Sequence, residues 1–359
     1  MKKGIYDVGG EKLSNSAFLK AKEFIYRYGR KIDIAWFEYN FVNNSTDEFM
    51  KVLKKYQFEN GGFGGLVTEF EYSGPCLKST EHAFRYIYNL KEKPDSGSPI
   101  IQNMMKYVLE RYKPEMGCWG NLLVPEVNEM LHVWWWEYKK CDIEYLDFDS
   151  KVKAYNPNGQ AALAAFTALY SDLIPLEKYQ EIISCPVEKV LRYFDKNSPF
   201  YCEVSSDPSF KEDYMVPYNM KCYQQFIDCL QSDSNRYRDQ ELVERLKQIL
   251  SRDPSVCMEL DESLWTEGYH EIPCDIVTRP DSFLYPLVRS EVDSALDYLI
   301  RHQSEDGAWH LSYQFGEQEG FRKLERQYEA NITALYLAEL KKFWQDCGLC
   351  IKLYLVFNC

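Results

Sequence analysis

Residues 296–309 read LDYLIRHQSEDGAW. An amphipathic helical run ends in a polar turn, then Gly307, one small residue and Trp309. Two further segments repeat this grammar. Residues 49–65 read FMKVLKKYQFENGGFGG and residues 104–120 read MMKYVLERYKPEMGCWG, so the turn aromatics are Phe63, Trp119 and Trp309. Degenerate copies lie at 187–201, VEKVLRYFDKNSPFY, and at 241–256, ELVERLKQILSRDPSV. A glycine before the aromatic lets the chain take a positive φ or pass close to a neighbour. The ring then supplies a large buried apolar surface.

Each turn is followed by a second, less polar kind of helix. These are expected to begin near Lys78, Glu126, Gly159, Tyr218, Asp281 and Glu329, several of them after Pro125, Pro157, Pro217 or Pro280. Proline suits the first turn of a helix, where its missing N–H is no loss. An apolar circumference suits a helix shielded on more than one side. The two kinds alternate at a period of roughly 50–60 residues, the mark of a repeat architecture. The expectation is an all-α fold, an (α/α)6 toroid with a double ring of inner and outer helices, formed by residues 1–359 as a single domain. Residues 137–155 form an irregular insertion that holds Asp142, Glu144, Asp147 and Asp149. Residues 346–359 form a C-terminal tail whose alternation, IKLYLVFNC, suits a docked strand. An open solenoid of helix pairs is the alternative.

Composition narrows the function. The 359 residues are 45% hydrophobic and 16% aromatic, which excludes a disordered chain. A net charge of -13 argues against nucleic acid as a partner, which calls for a basic stripe. Met1 to Gly10 show no apolar signal core, and no apolar run reaches the roughly 20 residues of a membrane helix. Twelve cysteines in a chain of this length are too sparse for a disulfide scaffold. A cytoplasmic protein with reduced thiols and no integral membrane segment is expected.

The turn at 296–309 resembles the glutamine–tryptophan repeat of squalene and oxidosqualene cyclases, with Leu299, Gln303, Gly307 and Trp309 as the matching elements. Gln57, Gly62 and Phe63 form a looser copy, and Gly117 with Trp119 a third that lacks the glutamine. Related loose repeats occur in the β subunits of protein prenyltransferases. The resemblance implies an α/α toroid across most of residues 45–345, in which the glutamine caps a helix end and the aromatic packs between neighbours. It implies no activity, because these elements are stabilising. The acid motif of the class II cyclases would fall at 329–335, EANITAL, where Thr333 and Ala334 match but Asn331 stands at the proton donor. An amide cannot deliver that proton. The Asp-Asp-x-x-Asp pattern of class I chemistry is absent. The zinc site of protein prenyltransferases has only Cys274–Asp275 to answer it, with His302 and His310 too close to serve. Cys347 and Cys350 have the spacing of half a zinc site, but no second pair completes it. No metal and no cofactor is therefore expected.

Polar residues at the starts of the inner helices remain as candidates. Glu81 with His82, and Glu129 with His132, recur on two successive units, and a Glu–His pair can fix a base in one tautomer. Asp281 and Glu329 complete the catalytic candidates. Trp135, Tyr218, Arg279, Arg326, Tyr328 and Asn331 are the candidate substrate contacts, the arginines suited to an anionic head group. Three functions follow. The first is an enzyme, or former enzyme, acting on a small apolar or isoprenoid-like molecule in a central cavity. The second is a carbohydrate-active toroid, a glycoside hydrolase or lyase using paired carboxylates such as Glu81 and Glu329. The third is a noncatalytic helical binding module. A polar trough favours the second and an apolar cavity the first. The oligomeric state is left open.

Overall fold

A computed structural model describes residues 13–138, 157–194, 215–254, 258–265 and 271–345. Most of the expected insertion, the tail 346–359 and the end of the copy at 187–201 lie outside the described residues. Twelve α-helices are described: α1 (Asn15–Tyr28), α2 (Lys31–Glu38), α3 (Thr46–Lys54), α4 (Leu77–Asn89), α5 (Pro99–Glu110), α6 (Pro157–Leu169), α7 (Leu176–Tyr193), α8 (Met215–Gln231), α9 (Gln240–Leu250), α10 (Pro273–Ile276), α11 (Arg289–Arg301) and α12 (Glu319–Gln345). The described residues form no sheet and show only isolated bridges. The fold is all-α.

Local chemistry sets the helix ends. Ser14, Ser45 and Asp239 each accept a hydrogen bond from a first-turn N–H, and Pro99 opens α5. The two expected kinds are both present. Helices α3, α5, α9 and α11 each bury one stripe, for example Val243, Leu246, Ile249 and Leu250 on α9. By contrast α6 is buried all round, with Ala161 through Ala168 almost without exposure. Its alanines let neighbours approach closely, and it packs against α4, α7 and α8.

Packing runs from α4 to α6, α6 to α8 and α8 to α10, while α12 packs on α1 and α2. Trp36 meets Tyr86 at 5.4 Å between ring centres, which joins α2 to α4. Tyr285 meets Phe343 at 5.3 Å, which joins the segment after α10 to α12.

The repeated turns use the same contacts. Gln57 donates its side-chain amide to Gly61 O (3.0 Å) and to Ile100 O of the following helix, α5 (2.9 Å). Gln303 donates likewise to Gly307 O (2.8 Å) and to Ala17 O of α1 (3.2 Å). The turn aromatic then hands its backbone N–H to an apolar-type helix: Phe63 to Thr80 Oγ1 (3.0 Å), Trp119 to Gln160 Oε1 (3.0 Å), Trp309 to Thr333 Oγ1 (3.2 Å). Where the middle copy lacks a glutamine, the Tyr112 hydroxyl reaches Glu181 O of α7 instead (3.1 Å). So α1 stands to the last turn as α5 stands to the first.

Two expected helices are absent, the one near Glu126 and the one near Asp281, where Tyr285–Leu287 is only a 3-10 turn before α11 begins at Arg289. Residues 125–129 and 134–136 are short 3-10 turns, and His132 bridges to Phe70 in extended backbone. The irregular stretch therefore begins well before residue 137. The helix of that unit is α6. The backbone of 131–133 pairs instead with 69–71 as extended chain, Glu71 N donating to Leu131 O and Val133 N to Glu69 O, so these groups are satisfied outside a helix. Helix α12 begins at Glu319, ten residues before the expected start at Glu329.

Gly307 has φ +92, and a Cβ there would lie 2.3 Å from the Lys20 carbonyl carbon of α1. Gly117 also has positive φ, +66, but a Cβ would meet nothing within 4 Å. Gly117→Ala should cost about 1–2 kcal/mol, the left-handed strain alone. Gly307→Ala should cost more, because backbone must also separate. Urea denaturation of both variants measures the difference, and equal losses would show that the turn does not depend on the close approach to α1.

Candidate functional site

The start of α4 is anchored by the first turn. Cys76 N donates to Phe63 O (3.1 Å), and Lys78 N to Leu122 O (3.0 Å). From this anchor Lys78, Glu81, His82 and Arg85 recur at helical spacing along one stripe. Glu81 is fully buried. It accepts from Lys78 Nζ at 2.9 Å and from Arg85 Nε, with His82 Nε2 at 3.8 Å. Burial by itself would raise the Glu81 carboxyl, but Arg85 and Lys78 hold it well below the usual carboxylate range. Burial and the charge of Lys78 push the His82 imidazole well below its ordinary value, so it is neutral at neutral pH.

Above this stripe the chain segments around 69–71 and 131–136 pair. Glu71 N donates to Leu131 O and Val133 N to Glu69 O, at 2.8 and 3.1 Å. The pairing puts Trp135 Nε1 on Glu69 Oε1 (2.9 Å) and the Trp136 ring 4.8 Å from Lys78 Nζ. Burial raises the Glu69 carboxyl despite these donors. Tyr313 and Tyr328 lie beside Glu69, and burial raises both phenols.

One turn further along, Arg85 meets Cys222 Sγ of α8 at 4.0 Å. Lys221, Glu271, Asp275, Tyr336 and Glu339 gather here from α8, the segment at α10, and α12. Burial pushes the Glu339 carboxyl up to about 7, with Asp275 adding to the rise and Lys221 opposing it. Burial also raises the Asp275 carboxyl, against the pull of Lys221. At the far end Asp228 accepts from the Tyr88 hydroxyl (2.6 Å) and from Arg279, whose Nε lies 3.2 Å from Asp281. Lys342 Nζ donates to Asn89 Oδ1 (2.9 Å).

These groups form a continuous polar seam along α4, α8 and α12. Its side chains keep partial exposure, 24% for His82, 32% for Arg85 and 26% for Arg279. The other faces of α4, with Ala83, Phe84 and Ile87, have none. Solvent therefore reaches the seam, and it is the only face of α4 where charge was tolerated in burial.

The sequence candidates divide accordingly. Glu81, His82, Arg279 and Tyr328 sit on the seam, and Trp135 touches it through Glu69. Asp281 is at its rim, with a side chain 76% exposed. Glu129 is exposed on a 3-10 turn, and His132 bonds through Nδ1 to Met130 O, so the second Glu–His pair does not form as a helical pair. Glu329 faces α1 instead. Its carboxylate meets His310 Nδ1 (2.9 Å) and Arg326 (3.1 Å), while His310 Nε2 meets Asp306 (3.0 Å) and the Phe24 ring lies alongside. Glu81 and Glu329 thus belong to different clusters, and Arg326 goes with the second. Asn331 donates to Asp33 Oδ1 (2.8 Å) and to the Tyr86 hydroxyl (3.1 Å), with Arg30 clasping Asp33 in a bidentate pair. It ties α12 to α2 and α4. The Tyr218 side chain, Asp147, Asp149, Cys347 and Cys350 lie outside the described residues.

Sequence reading missed Glu69, Lys221, Glu339 and Lys342. A signal for Glu339 existed: it is the one charge in the run ALYLAEL of α12. Asp275 stood out only for its neighbour Cys274, a buried free thiol. Among the described residues no group of three acidic, histidine or cysteine side chains is arranged to hold a metal. No described helix is long and apolar enough to cross a membrane. No family model, curated protein or solved structure matches the chain.

Two stability effects follow. Glu81→Gln leaves Lys78 and Arg85 facing a neutral amide in a buried site, and should cost about 3–5 kcal/mol by urea denaturation at pH 7. Glu339→Gln should do the reverse, with a pH signature. The folded value near 7 lies above the ordinary carboxyl value of 4.5, so ionisation opposes folding. The penalty is absent below about 4.5, grows between 4.5 and 7 and is complete above 7. The variant should gain roughly 2–3 kcal/mol over the parent at pH 8 and nothing at pH 4.5. A pH-independent difference would mean that Glu339 is not the titrating group.

Proposed function

We propose that the helices close as an (α/α)6 toroid of the architecture the Gln–Trp turn resembles, and that the polar seam faces its centre. The reading is supported by the last turn, which docks on α1 through Gln303 as the first docks on α5 through Gln57. Docking of the last described turn on the first described helix is the contact that closure into a ring requires.

Within that ring the protein acts as a carbohydrate-active enzyme, a hydrolase or lyase. The observation that carries this reading is the gathering of two carboxyls, Glu339 and Asp275, beside Lys221 and Tyr336, where burial pushes the Glu339 carboxyl up to about 7. A carboxylic acid that keeps its proton near neutral pH is a general acid. Asp275 is the second carboxyl of the pair. Tyr313, Tyr328 and Tyr336 offer rings and hydroxyls to a sugar. Glu81, held ionised by two cations, is a positioning residue that fixes Lys78 and Arg85. An isoprenoid chain is the less favoured ligand, because it would strip water from these charges with nothing to replace it.

Thermal-shift measurements with neutral and acidic oligosaccharides, and with farnesyl diphosphate, test the reading. A saturable rise with a sugar is expected. Glu339→Gln should keep that rise and lose turnover of the same sugar about 10²–10⁴-fold. A rise with farnesyl diphosphate alone would restore the isoprenoid reading, and no rise with any of them would leave a noncatalytic binding module.

A further inference from the structure

Cys118 occupies a position of the middle turn, just before the aromatic, that is Gly62 in the first turn and Ala308 in the last. In the first turn this position faces the helix on which the turn docks: a Cβ on Gly62 would run into the Tyr107 ring of α5. The middle turn docks on α7, which the Tyr112 hydroxyl reaches at Glu181 O (3.1 Å). Lys113 N donates to Cys118 O (2.9 Å), and the Trp119 ring centre lies 5.1 Å from that of Tyr112. Cys118 is thus held between Tyr112's two neighbours at the contact with α7.

One helical turn beyond Glu181, α7 carries Cys185. Both cysteines are free thiols, Cys118 buried and Cys185 half-buried. Burial raises the Tyr112 phenol, and Glu181, Cys185 and Cys118 add to the rise, so both thiols lie beside the hydroxyl that docks the turn. Burial pushes the Cys185 thiol up to about 12, and Cys118 contributes next, ahead of Lys189 and Glu188 on the same helix as Cys185. The middle turn is also the copy without the glutamine. Gln57 and Gln303 each make two hydrogen bonds, one within the turn and one to the docking helix, where Tyr112 makes one.

We propose that Cys118 and Cys185 are a redox pair whose disulfide staples the middle turn to α7. The oxidant is a small disulfide of the glutathione type. Cys185, the more exposed of the two, attacks as its thiolate, forms a mixed disulfide and releases one reduced glutathione. The Cys118 thiolate then displaces the second. Two thiol protons end on the two glutathiones, and one S–S bond in the protein replaces the one consumed. Little of Cys185 is thiolate at neutral pH, so the exchange is slow there and quickens as pH rises. A cross-link between these distant parts of the chain restricts the unfolded state and so stabilises the fold. The pair acts independently of what the seam binds.

Treatment of the full chain with oxidised glutathione at about pH 8.5, followed by peptide mapping and thermal unfolding, provides the test. A linked Cys118–Cys185 peptide is expected, with a rise in Tm of at least about 3 °C that dithiothreitol reverses. Cys118→Ala should stop at Cys185 carrying glutathione, and Cys185→Ala should show neither the link nor the rise. Oxidation that leaves both cysteines as thiols, or pairs either one elsewhere, would overturn the pair. A linked peptide without a rise in Tm would overturn the staple, and so would an equal rise in Cys185→Ala, which would trace the effect to other thiols.

Discussion

One hydrogen bond recurs at three of the described turns from a charged helix to an apolar one. The backbone N–H of the turn aromatic is buried under its own ring, and a buried N–H must find an acceptor. Thr80, Gln160 and Thr333 supply it, each from the first turn or the middle of the apolar helix that follows. Thr80 and Thr333 also donate back to carbonyls four residues earlier, at 2.8 and 2.7 Å, so the acceptor is itself held. This bond fixes the angle at which each apolar helix leaves its turn. The polar stripes of α4 and α12 depend on it. Rotation of α4 by one residue would turn Lys78, Glu81 and Arg85 together away from Trp136 and Cys222.

The charged seam is costly to keep. Glu81, Lys78 and Arg85 are desolvated together, and a buried ion cluster of this kind is seldom more stable than apolar side chains of similar volume. Asp33, fully buried between Arg30, Tyr86 and Asn331, presents the same economy at the junction of α2, α4 and α12. The two differ in what they leave over. Every described partner of Asp33 is satisfied within the protein, whereas the seam's neighbour Gln225 on α8 has a side-chain N–H₂ without an acceptor among the described residues.

The sequence made the architecture legible because its signal is periodic and repeated. Gly307, Trp309 and Gln303 act through backbone geometry and hydrogen bonds that any copy must satisfy, and so the copies resemble one another. The seam had no such signature. Glu81 and His82 stood out because they sit at a helix start beside a recognised turn. Glu339 and Lys342 lie deep in α12, and their meaning comes from Lys221 and Arg279, which are remote in sequence. The reading failed most clearly at Glu329. Its match to a cyclase motif placed it at a helix start facing inward, but α12 begins earlier, and two residues of separation from Asn331 turn it through about 200 degrees toward His310. Glu129 and His132 failed for a different reason: i,i+3 spacing implies adjacency only if a helix forms.

The docking of the last turn on α1 has a consequence during synthesis. Gln303 and Ala17 are separated by 286 residues, and Asn331 and Asp33 by 298. The apolar faces of α1 and α2, with Phe18, Ala21, Ile25 and Ile32, are emerging from the ribosome long before α12 exists to cover them. Loop closure over such a span is entropically slow to reward the contacts it permits. The nascent chain therefore carries an uncovered apolar edge until α12 has been made, a period in which that edge is open to misassociation.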